Sequence, residues 1–315
     1  RLQGDATLAL AAAACTEGVE TWVVDVRGVS IWPDGRVRVR GVRLGSGAEV
    51  REQLAKERSI AVLRADDVVW VRTNPPRDGG GAALHRHLPL VAELAESQGI
   101  RVENPARTLA IGWTKLLGSW LPPSIRPETL VTSDLETLVF WLQRRKGAAV
   151  IKPASGSHGR GVFLIRPDDA ANLIQQCEAV LAEGPAIAQD FVRWDGEGDV
   201  RVLLLDGAPV RVNGADAAVH RVPPPQGFRS NIHAGGRAQA ITLNASQRQT
   251  AREAGEALLG LGVRIAGLDL IGDKIIEVNV HAPGGLEDMS RFTGHNITRL
   301  VARRLLQPRL LAPAE

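Results

Sequence analysis

The sequence contains no tyrosine, one methionine and two cysteines, and it has no apolar run long enough to cross a membrane. A membrane-spanning helix needs about 20 consecutive apolar residues, and the longest candidate, Thr7–Cys15, is far shorter. We therefore expect no membrane partner. The two cysteines, Cys15 and Cys177, cannot build a disulfide framework, which excludes the small disulfide-rich secreted class and favours a reducing cytoplasm.

The charge pattern argues against nucleic-acid binding. The formal net charge is +3 in 315 residues, and a nucleic-acid binder would show basic clusters interleaved with aromatic residues. The nearest candidate is "RVRVRGVR" at Arg36–Arg43, where Arg alternates with Val as in a strand with one solvated face. We expect no nucleic-acid partner.

Helix and strand signals alternate along the first third of the chain, which favours an α/β fold with a mainly parallel sheet. Asp5 is placed to cap a helix that runs to about Glu17, and Asp34-Gly35 is a hairpin turn. The segment His85–His87 begins a further helix and is interpreted as a solvated turn. A helix over Pro105–Trp120 carries Lys115. The domains are predicted at 1–104, 105–185 and 186–315.

A glycine-rich loop lies within "VIKPASGSHGRGVFLI", Val150–Ile165. Its glycines can bring backbone N–H groups close to phosphates. A strand follows the loop, whereas the known phosphate-binding fingerprints require a helix there. The pattern therefore predicts a hairpin with a flexible flap, with Lys152 projecting from the strand that enters the flap, or a plain glycine hairpin. Further on, "AIAQDFV" is an apolar strand whose exposed backbone at Asp190–Val192 could read an adenine edge.

Three polar residues interrupt the apolar segment "GLDLIGDKIIEVNV": Asp269, Glu277 and Asn279. Their oxygen atoms suit Mg²⁺ bound together with nucleotide phosphates. Glu277 and Asn279 share one face of a strand. A two-residue turn at Gly272-Asp273 would place Asp269 on the opposite face, and a three-residue loop would pair it with Glu277. The alternative is an edge strand with a solvated polar face.

The order of these motifs resembles the ATP-grasp ligases, and most closely the bacterial glutathione synthetases. The resemblance covers nearly the whole chain and rests on the order and spacing of several segments. These are "VRTNPPRD", "VENPARTLAIGWTK", "PETLVTSD", "VIKP", "AQDFV", "GDVRVLLLDGAPV", "RSNIHAGGR" and "GLDLIGDKIIEVNV". It implies an ATP-grasp fold behind an N-terminal α/β domain. The family's first strand would precede Asp5, so we expect an N-terminal segment to be missing.

The resemblance also implies the site residues. Nucleotide phosphates would be held by Lys115, Lys152 and the flap residues Ser155, Gly156, Gly159, Arg160 and Gly161. Adenine and ribose would be held by Gln189, Asp190, Phe191, Val192 and Asp199. Two Mg²⁺ ions, replaceable by Mn²⁺, would be bound by Asp269, Glu277 and Asn279. The acceptor would be held by Arg72, Arg201, Arg229, Gly235 and Gly236, with Arg201, Arg229 and Asn231 in catalytic roles.

The implied activity is the ATP- and Mg²⁺-dependent ligation of a carboxylate to an amine through an acyl phosphate, with γ-glutamylcysteine and glycine as the first choice. The segment "NVHAPGGL" departs from the family pattern near the acceptor, which favours a second possibility, a ligase for another amino acid, peptide or protein terminus. A third is a non-catalytic ATP-binding scaffold. The resemblance further predicts small-molecule substrates, a cytoplasmic location and a homo-oligomer.

Overall fold

The computed structural model describes residues 5–45, 50–73, 85–155, 161–167, 172–193, 198–223 and 236–308. The predicted mixed α/β architecture is confirmed. The described residues form five sheets, packed against helices along the chain. None of the helices in these ranges is long and apolar enough to cross a membrane.

The N-terminal part begins with helix α1, Ala6–Thr16, and the Asp5 carboxylate accepts hydrogen bonds from the first turn, as predicted. Its strands are β1 (Thr21–Ile31), β2 (Val37–Leu44), β3 (Ser59–Val62), β4 (Val68–Trp70) and β5 (Arg101–Glu103). β1, β2 and β3 form an antiparallel sheet, and only β4 and β5 pair in parallel. The expectation of a mainly parallel sheet is wrong here, because helix–strand alternation does not report which strands pair. Helices Val50–Gln53 and Leu88–Ser97 complete this part.

The predicted helix Pro105–Trp120 is divided into two pieces. An α-helix covers Ala106–Gly112 and a 3-10 helix covers Lys115–Trp120. A Cβ on the last residue of the α-helix would lie 2.2 Å from Val280 Cγ2, so glycine allows the close approach. Thr114 is extended, and its hydroxyl accepts from the next turn as an N-cap. The break places Lys115 at the start of the second piece.

A four-stranded antiparallel sheet forms the central part. Its strands, in spatial order, are β6 (Thr129–Thr132), β9 (Ala186–Asp190), β7 (Ala149–Pro153) and β8 (Phe163–Ile165). Helices Leu135–Gln143 and Leu173–Leu181 cover one face, where Cys177 is buried in the core. The predicted boundary after residue 185 separates β9 from this sheet, whereas the structure pairs it between β6 and β7.

The C-terminal part contains a six-stranded sheet whose central strands are buried on both faces. Its spatial order is β15 (Arg237–Ala240), β14 (Ala218–Val222), β10 (Asp199–Leu205), β16 (Ile265–Ile271) and β17 (Lys274–Asn279), with β11 (Ala208–Pro209) beside β10. The strands β12 (Arg211–Val212) and β13 (Ala215–Asp216) pair separately. Even-numbered apolar residues of β10 pack in one core, which includes residues of helix Ala245–Gly260. Leu203 and Leu205 pack in a second core with α1 and helices Leu286–Thr293 and Ile297–Leu306.

Asn104 joins the N-terminal part to the large sheet. Its Nδ2 donates to the carbonyls of Ile265 and Val280, and its Oδ1 accepts from the N–H groups of Arg264 and Ile265. Both ends of this buried amide are therefore satisfied, as buried polar groups require. The contact fixes the start of β16 and the end of β17 against the segment that leads to Lys115.

Candidate active site

The β16–β17 hairpin decides the geometry of the predicted metal ligands. Ile271 pairs with Lys274 across a two-residue turn, and Leu270 pairs with Ile275. The register then shifts by one residue, so that Ile276 forms a β-bulge and Asp269 pairs with Glu277. Neither alternative from the sequence is correct as stated. The turn has two residues, which by itself would place Asp269 on the opposite face, but the bulge restores the pairing of Asp269 with Glu277.

The acids lie beside an amide and a guanidinium. Asn279 pairs with Gly267, two residues along each strand from the pair Asp269–Glu277 and therefore on the same face of the hairpin. In the orientation of its amide that satisfies both ends, the nitrogen donates to Glu277 Oε1 at 3.3 Å and the oxygen accepts from Arg201 Nη2 at 3.2 Å. The structure thus brings the three predicted metal ligands together on one face of the hairpin.

A buried ion-pair network holds Asp269. Arg201, its direct neighbour on β10, donates from Nε and Nη2 to the two carboxylate oxygens at 2.6 and 2.7 Å. Arg221 donates to Asp269 Oδ2 at 2.9 Å and to Asp199 Oδ1 at 2.6 Å. Burial by itself would raise the pKa of Asp269, but the two guanidinium groups outweigh it and lower the pKa to about 2. The carboxylate therefore stays ionised at neutral pH.

Arg221 was not predicted from the sequence. It is the direct partner of Asp199 in the β10–β14 register, and both side chains are buried. The signal that could have found it is the charged residue inside the strand "AVHRV", because a buried charge needs a partner. Asp199 is already paired with Arg221, so a ribose hydroxyl would have to share its carboxylate. The ribose role of Asp199 stays a prediction.

The donor set fits Mg²⁺. Mg²⁺ is usually bound by one or two carboxylates together with phosphates and water, not by an all-protein cage. Within the described ranges no cluster of three His, Cys, Asp or Glu residues is present, and the site offers two carboxylates and one amide oxygen. To bind Mg²⁺, Asp269 would have to use an oxygen that Arg201 or Arg221 also contacts. Glu277 is half-buried at the edge of the cleft.

A cleft lies between the central sheet and the β16–β17 hairpin. It is lined by Lys115, Gly118, Ser119, Arg126, Thr129, Lys152, Ile187, Gln189, Ile275, Ile276 and Glu277. The structure therefore places the two predicted phosphate-binding lysines and one predicted adenine-binding residue around one space with a predicted metal ligand. Arg126 and the three isoleucines of this lining were not predicted.

Lys152 is only 8% exposed, and its Nζ donates to the carbonyl of Ile276 at 3.2 Å. Burial lowers the pKa of Lys152, Glu277 opposes the shift, and the neighbouring charge of Lys115 adds to it, giving a pKa of about 8. No carboxylate in the described part of the chain lies within ion-pair distance of this ammonium. A phosphate group would supply the missing anion.

The predicted adenine-reading segment is only partly available. The N–H groups of Asp190 and Phe191 donate to the carbonyls of Glu128 and Ala148. The expectation that all the N–H groups of Asp190–Val192 are exposed is therefore wrong, because β9 is an inner strand. The adenine contact of Val192 stays a prediction. Gln189 faces the cleft and donates from Nε2 to the Thr129 hydroxyl at 3.2 Å.

Several predicted residues lie outside the described part of the chain: Gly156, Gly159, Arg160, Arg229, Asn231 and Gly235. Their neighbours are described. Ser155 is exposed just after β7, Gly161 has a φ of +68° before β8, and Gly236 precedes β15.

Arg72 lies on the other side of the site, between α1 and the segment after β17. It donates from Nε to the Thr7 hydroxyl and from Nη2 to the Pro283 carbonyl, both at 3.3 Å. Its guanidinium carbon is 4.8 Å from the centroid of the Trp70 ring. Burial lowers the pKa of Arg72 to about 10, with a smaller opposite effect from Asp5.

The interpretation of His85 as part of a solvated turn is wrong. Its side chain is fully buried, and its ring centroid is 6.1 Å from that of Trp113. On the same indole, the His281 ring lies edge-on at 5.8 Å, and its Nε2 donates to the Leu109 carbonyl at 2.9 Å. Burial lowers the pKa of His281. The local polarity around His85 did not reveal this tertiary packing.

A cleft between two antiparallel sheets, with two lysines on one side and acids on a hairpin on the other, defines an ATP-grasp ligase. Residues 114–294 match the family described as "Prokaryotic glutathione synthetase, ATP-grasp domain". Residues 1–109 match "Prokaryotic glutathione synthetase, N-terminal domain". The chain belongs to the prokaryotic glutathione synthetase family.

Individual relatives agree with this assignment. The chain is 34% identical to the glutathione synthetase of Nitrosomonas europaea over 78% of its own length and 73% of the relative. It is 25% identical to that of Prochlorococcus marinus over 96% and 94% of the two chains. A solved structure of the ATP-grasp ligase PsnB, complexed with a precursor variant, Mg and ADP, matches with a TM-score of 0.61 and 18% identity over 95% and 93%. At that identity the structural likeness supports the fold alone.

Proposed function

We propose that this protein joins γ-glutamylcysteine to glycine, with ATP cleaved to ADP and phosphate. The observation that carries the proposal is the cleft in which Lys115, Lys152 and Glu277 meet, beside the pair Arg201–Asp269. Family membership supports the acceptor and the amine. Two Mg²⁺ ions, which Mn²⁺ could replace, are proposed for Asp269, Glu277 and Asn279.

The proposed chemistry has two steps. A carboxylate oxygen of the acceptor attacks the γ-phosphorus of ATP, the bond to the β–γ bridging oxygen breaks, and ADP leaves. The amine then attacks the acyl carbon, the carbon–oxygen bond to phosphate breaks, and the amine proton passes to phosphate or water. Bound Mg²⁺ would neutralise charge on the transferring phosphoryl group.

The protein contributes position and positive charge to these steps and needs no nucleophile of its own. Lys115 and Lys152 would hold the phosphates. Arg201 is oriented by Asp269 and presents a guanidinium beside the metal ligands, where a carboxylate and its acyl phosphate would be bound. Arg72 would hold the acceptor from the other side of Pro283.

A second candidate keeps this chemistry with a different acceptor. The observation that favours it is the segment His281–Gly285, which departs from the family pattern and whose Pro283 carbonyl accepts from Arg72, a proposed acceptor-binding residue. The printed names of similar structures include a D-cycloserine synthetase, matched with a TM-score of 0.57 at 18% identity over 77% of this chain and 86% of that chain. Such a ligase would accept another amino acid or peptide.

The test is phosphate release with ATP, Mg²⁺ and γ-glutamylcysteine plus glycine, against a panel of other amino acids and dipeptides. The proposal expects the first pair to give the fastest turnover. Faster turnover with another pair would replace the substrate and keep the ligase. Binding of an ATP analogue without phosphate release from any pair would favour the scaffold alternative.

Two further properties are proposed. A homo-oligomer is expected from the family, and sedimentation of the purified chain at several concentrations tests it. A cytoplasmic location is expected because the reaction consumes ATP and acts on a free thiol compound.

A further inference from the structure

Arg126 is a cation of the nucleotide cleft that the sequence motifs did not predict. It lines the same space as Lys115, Lys152 and Glu277, so the described lining carries three cations and one anion. In the proposed function the two lysines hold phosphates and Glu277 binds metal. Arg126 is the charged residue of the lining that has no role there.

The Arg126 guanidinium is anchored through one nitrogen. Its Nε donates to the Leu121 carbonyl at 3.1 Å. The backbone is fixed on both sides, since Ile125 belongs to an apolar core and Pro127 is buried. Among the described residues the two terminal nitrogens have no hydrogen-bond partner, and no carboxylate lies within ion-pair distance of them. Their N–H donors are therefore available to a ligand in the cleft.

The register of the central sheet shows at which end of the cleft Arg126 lies. Lys152 on β7 pairs with Ile187 on β9, and Gln189, further along β9, pairs with Thr129 on β6. The step from Ile187 to Gln189 leads away from Lys152 and towards the start of β6. Arg126 precedes that strand, so it lies beyond Gln189 as seen from Lys152.

The 3-10 helix Lys115–Trp120 runs along the cleft in the same direction. At its start, the N–H of Lys115 donates to the Ala154 carbonyl, directly after β7. Leu121, directly after its end, accepts from Arg126. Both lysines therefore lie at one end of the cleft and Arg126 at the other. If the lysines hold the phosphates of a nucleotide, Arg126 lies at the end for the base.

Gln189 presents an acceptor at the same end. The Thr129 hydroxyl donates its only hydrogen to the Pro127 carbonyl at 2.8 Å, so its oxygen can only accept from the amide of Gln189. Gln189 Nε2 makes this bond at 3.2 Å. The amide orientation is thereby fixed, and Oε1 is the atom that remains for a ligand.

A donor and an acceptor at the base end match adenine. Adenine presents its 6-amino donor beside the acceptor N7, whereas guanine presents the acceptor O6 in place of the amino group. The three isoleucines of the lining supply apolar surfaces for a flat ring. N1, on the other side of the amino group, is left to a backbone N–H after β9, where Val192 is the predicted contact.

We propose that Arg126 and Gln189 select the base of the nucleotide: Gln189 Oε1 accepts from the 6-amino group of adenine, and an Arg126 terminal nitrogen donates to N7. This inference rests on the nucleotide cleft of the proposed function and adds the residue that sets the choice of base. A 6-oxopurine would place its oxygen against Gln189 Oε1, so the cleft discriminates against GTP and ITP.

The test is calorimetric binding of nucleotides to the full chain with Mg²⁺ and without acceptor or amine. In 7-deaza-ATP a C–H group replaces N7, so the parent should bind it about tenfold more weakly than ATP, as expected for the loss of a hydrogen bond to a charged group. Arg126→Met should bind ATP about tenfold more weakly than the parent and distinguish the two nucleotides by less than about twofold.

A second comparison tests Gln189. The parent should bind ITP at least about tenfold more weakly than ATP, because two acceptors would face each other, and Gln189→Leu should reduce this ratio to less than about threefold. Arg144→Met is the matched control for Arg126→Met, because Arg144 is an exposed arginine of the central part, 5.1 Å from the centroid of the Phe140 ring and outside the cleft lining. It should leave the affinities for all three nucleotides unchanged.

Several outcomes would overturn the inference. Equal affinities of the parent for ATP and 7-deaza-ATP would show that N7 is not read, and this comparison needs no variant that must fold. An Arg126→Met variant that binds both nucleotides more weakly but keeps their ratio would assign Arg126 to the phosphates or to the fold. Weak binding of 1-deaza-ATP that Arg126→Met alone abolishes would move the contact to N1. If the parent binds no nucleotide, the proposed function itself fails, whereas the identity of the acid and the amine does not affect this readout.

Discussion

The ammonium group of Lys152 donates a hydrogen bond to the backbone carbonyl of Ile276, the residue at which the β16–β17 hairpin bulges. The bulge thus has two effects on the site. It sets Glu277 opposite Asp269, and it directs a carbonyl into the cleft, where it holds a buried cation. A single extra residue in one strand couples the proposed metal ligands to the proposed phosphate-binding lysine.

The pKa of Lys152 predicts how nucleotide binding depends on pH. Because its pKa is lowered to about 8, the group is cationic below that pH and becomes neutral as the pH rises through it. Phosphates bind the cation, so the affinity for a non-hydrolysable ATP analogue should fall above pH 8, by up to about tenfold per pH unit. The control is Lys152→Arg, which stays charged. Identical pH profiles of the two proteins, measured by calorimetry, would assign the dependence to another group.

Replacing Glu277 by Ala should abolish Mg²⁺-dependent phosphate release while leaving the fold intact. The side chain is half-buried at the edge of the cleft and pairs across the hairpin with Asp269. The expected loss is more than about tenfold in kcat, because a metal ligand stabilises charge in the transition state. Asp273→Asn in the exposed turn of the same hairpin is the control. A Glu277→Ala variant that keeps a tenth or more of the parent rate would refute the metal assignment.

Arg221→Met should destabilise the fold strongly, because it leaves two buried carboxylates, Asp199 and Asp269, with fewer counter-charges. Removing one partner of a buried ion pair costs about 3–5 kcal/mol, measurable by urea unfolding. Arg211→Met is the matched control: Arg211 is half-exposed, and its partner Asp216 keeps Arg248, so the cost should be about 0–1 kcal/mol. Equal losses in the two variants would contradict the network.

The sequence predicted the parts of the site that depend on local pattern. Strand alternation put Glu277 and Asn279 on one face, and motif order selected Lys115 and Lys152, which line one cleft. The bulge at Ile276 could not be predicted, because both possible registers satisfy the alternation and the choice depends on packing between strands. Arg221 escaped notice because its partner Asp199 lies 22 residues away, with the three short strands β11, β12 and β13 between them.

Local polarity also gave a wrong prediction of burial where tertiary packing determines it. His85 stands in a polar segment, yet packing beside Trp113 buries it completely. The N-terminal elements have the predicted types, but their pairing is mostly antiparallel, since pairing is set by contacts between residues distant in the sequence. Element type was therefore predictable where register and burial were not.

Deleting Ile276 tests the bulge directly. Without this residue, Leu270 still pairs with Ile275, Asp269 with Glu277 and Gly267 with Asn279. The hairpin becomes regular, and the proposed metal ligands stay on one face. The deletion removes the carbonyl that holds Lys152 and an apolar side chain that lines the cleft.

We therefore expect the deletion variant to bind an ATP analogue about tenfold more weakly, in line with the loss of a hydrogen bond to a charged group. The variant should still depend on Mg²⁺ for whatever phosphate release remains. Ile276→Val, which keeps the bulge and most of the side chain, should bind the analogue within about twofold of the parent. If the deletion variant binds as tightly as Ile276→Val, the bulge serves only the register of the acids, and Lys152 needs no support from the hairpin.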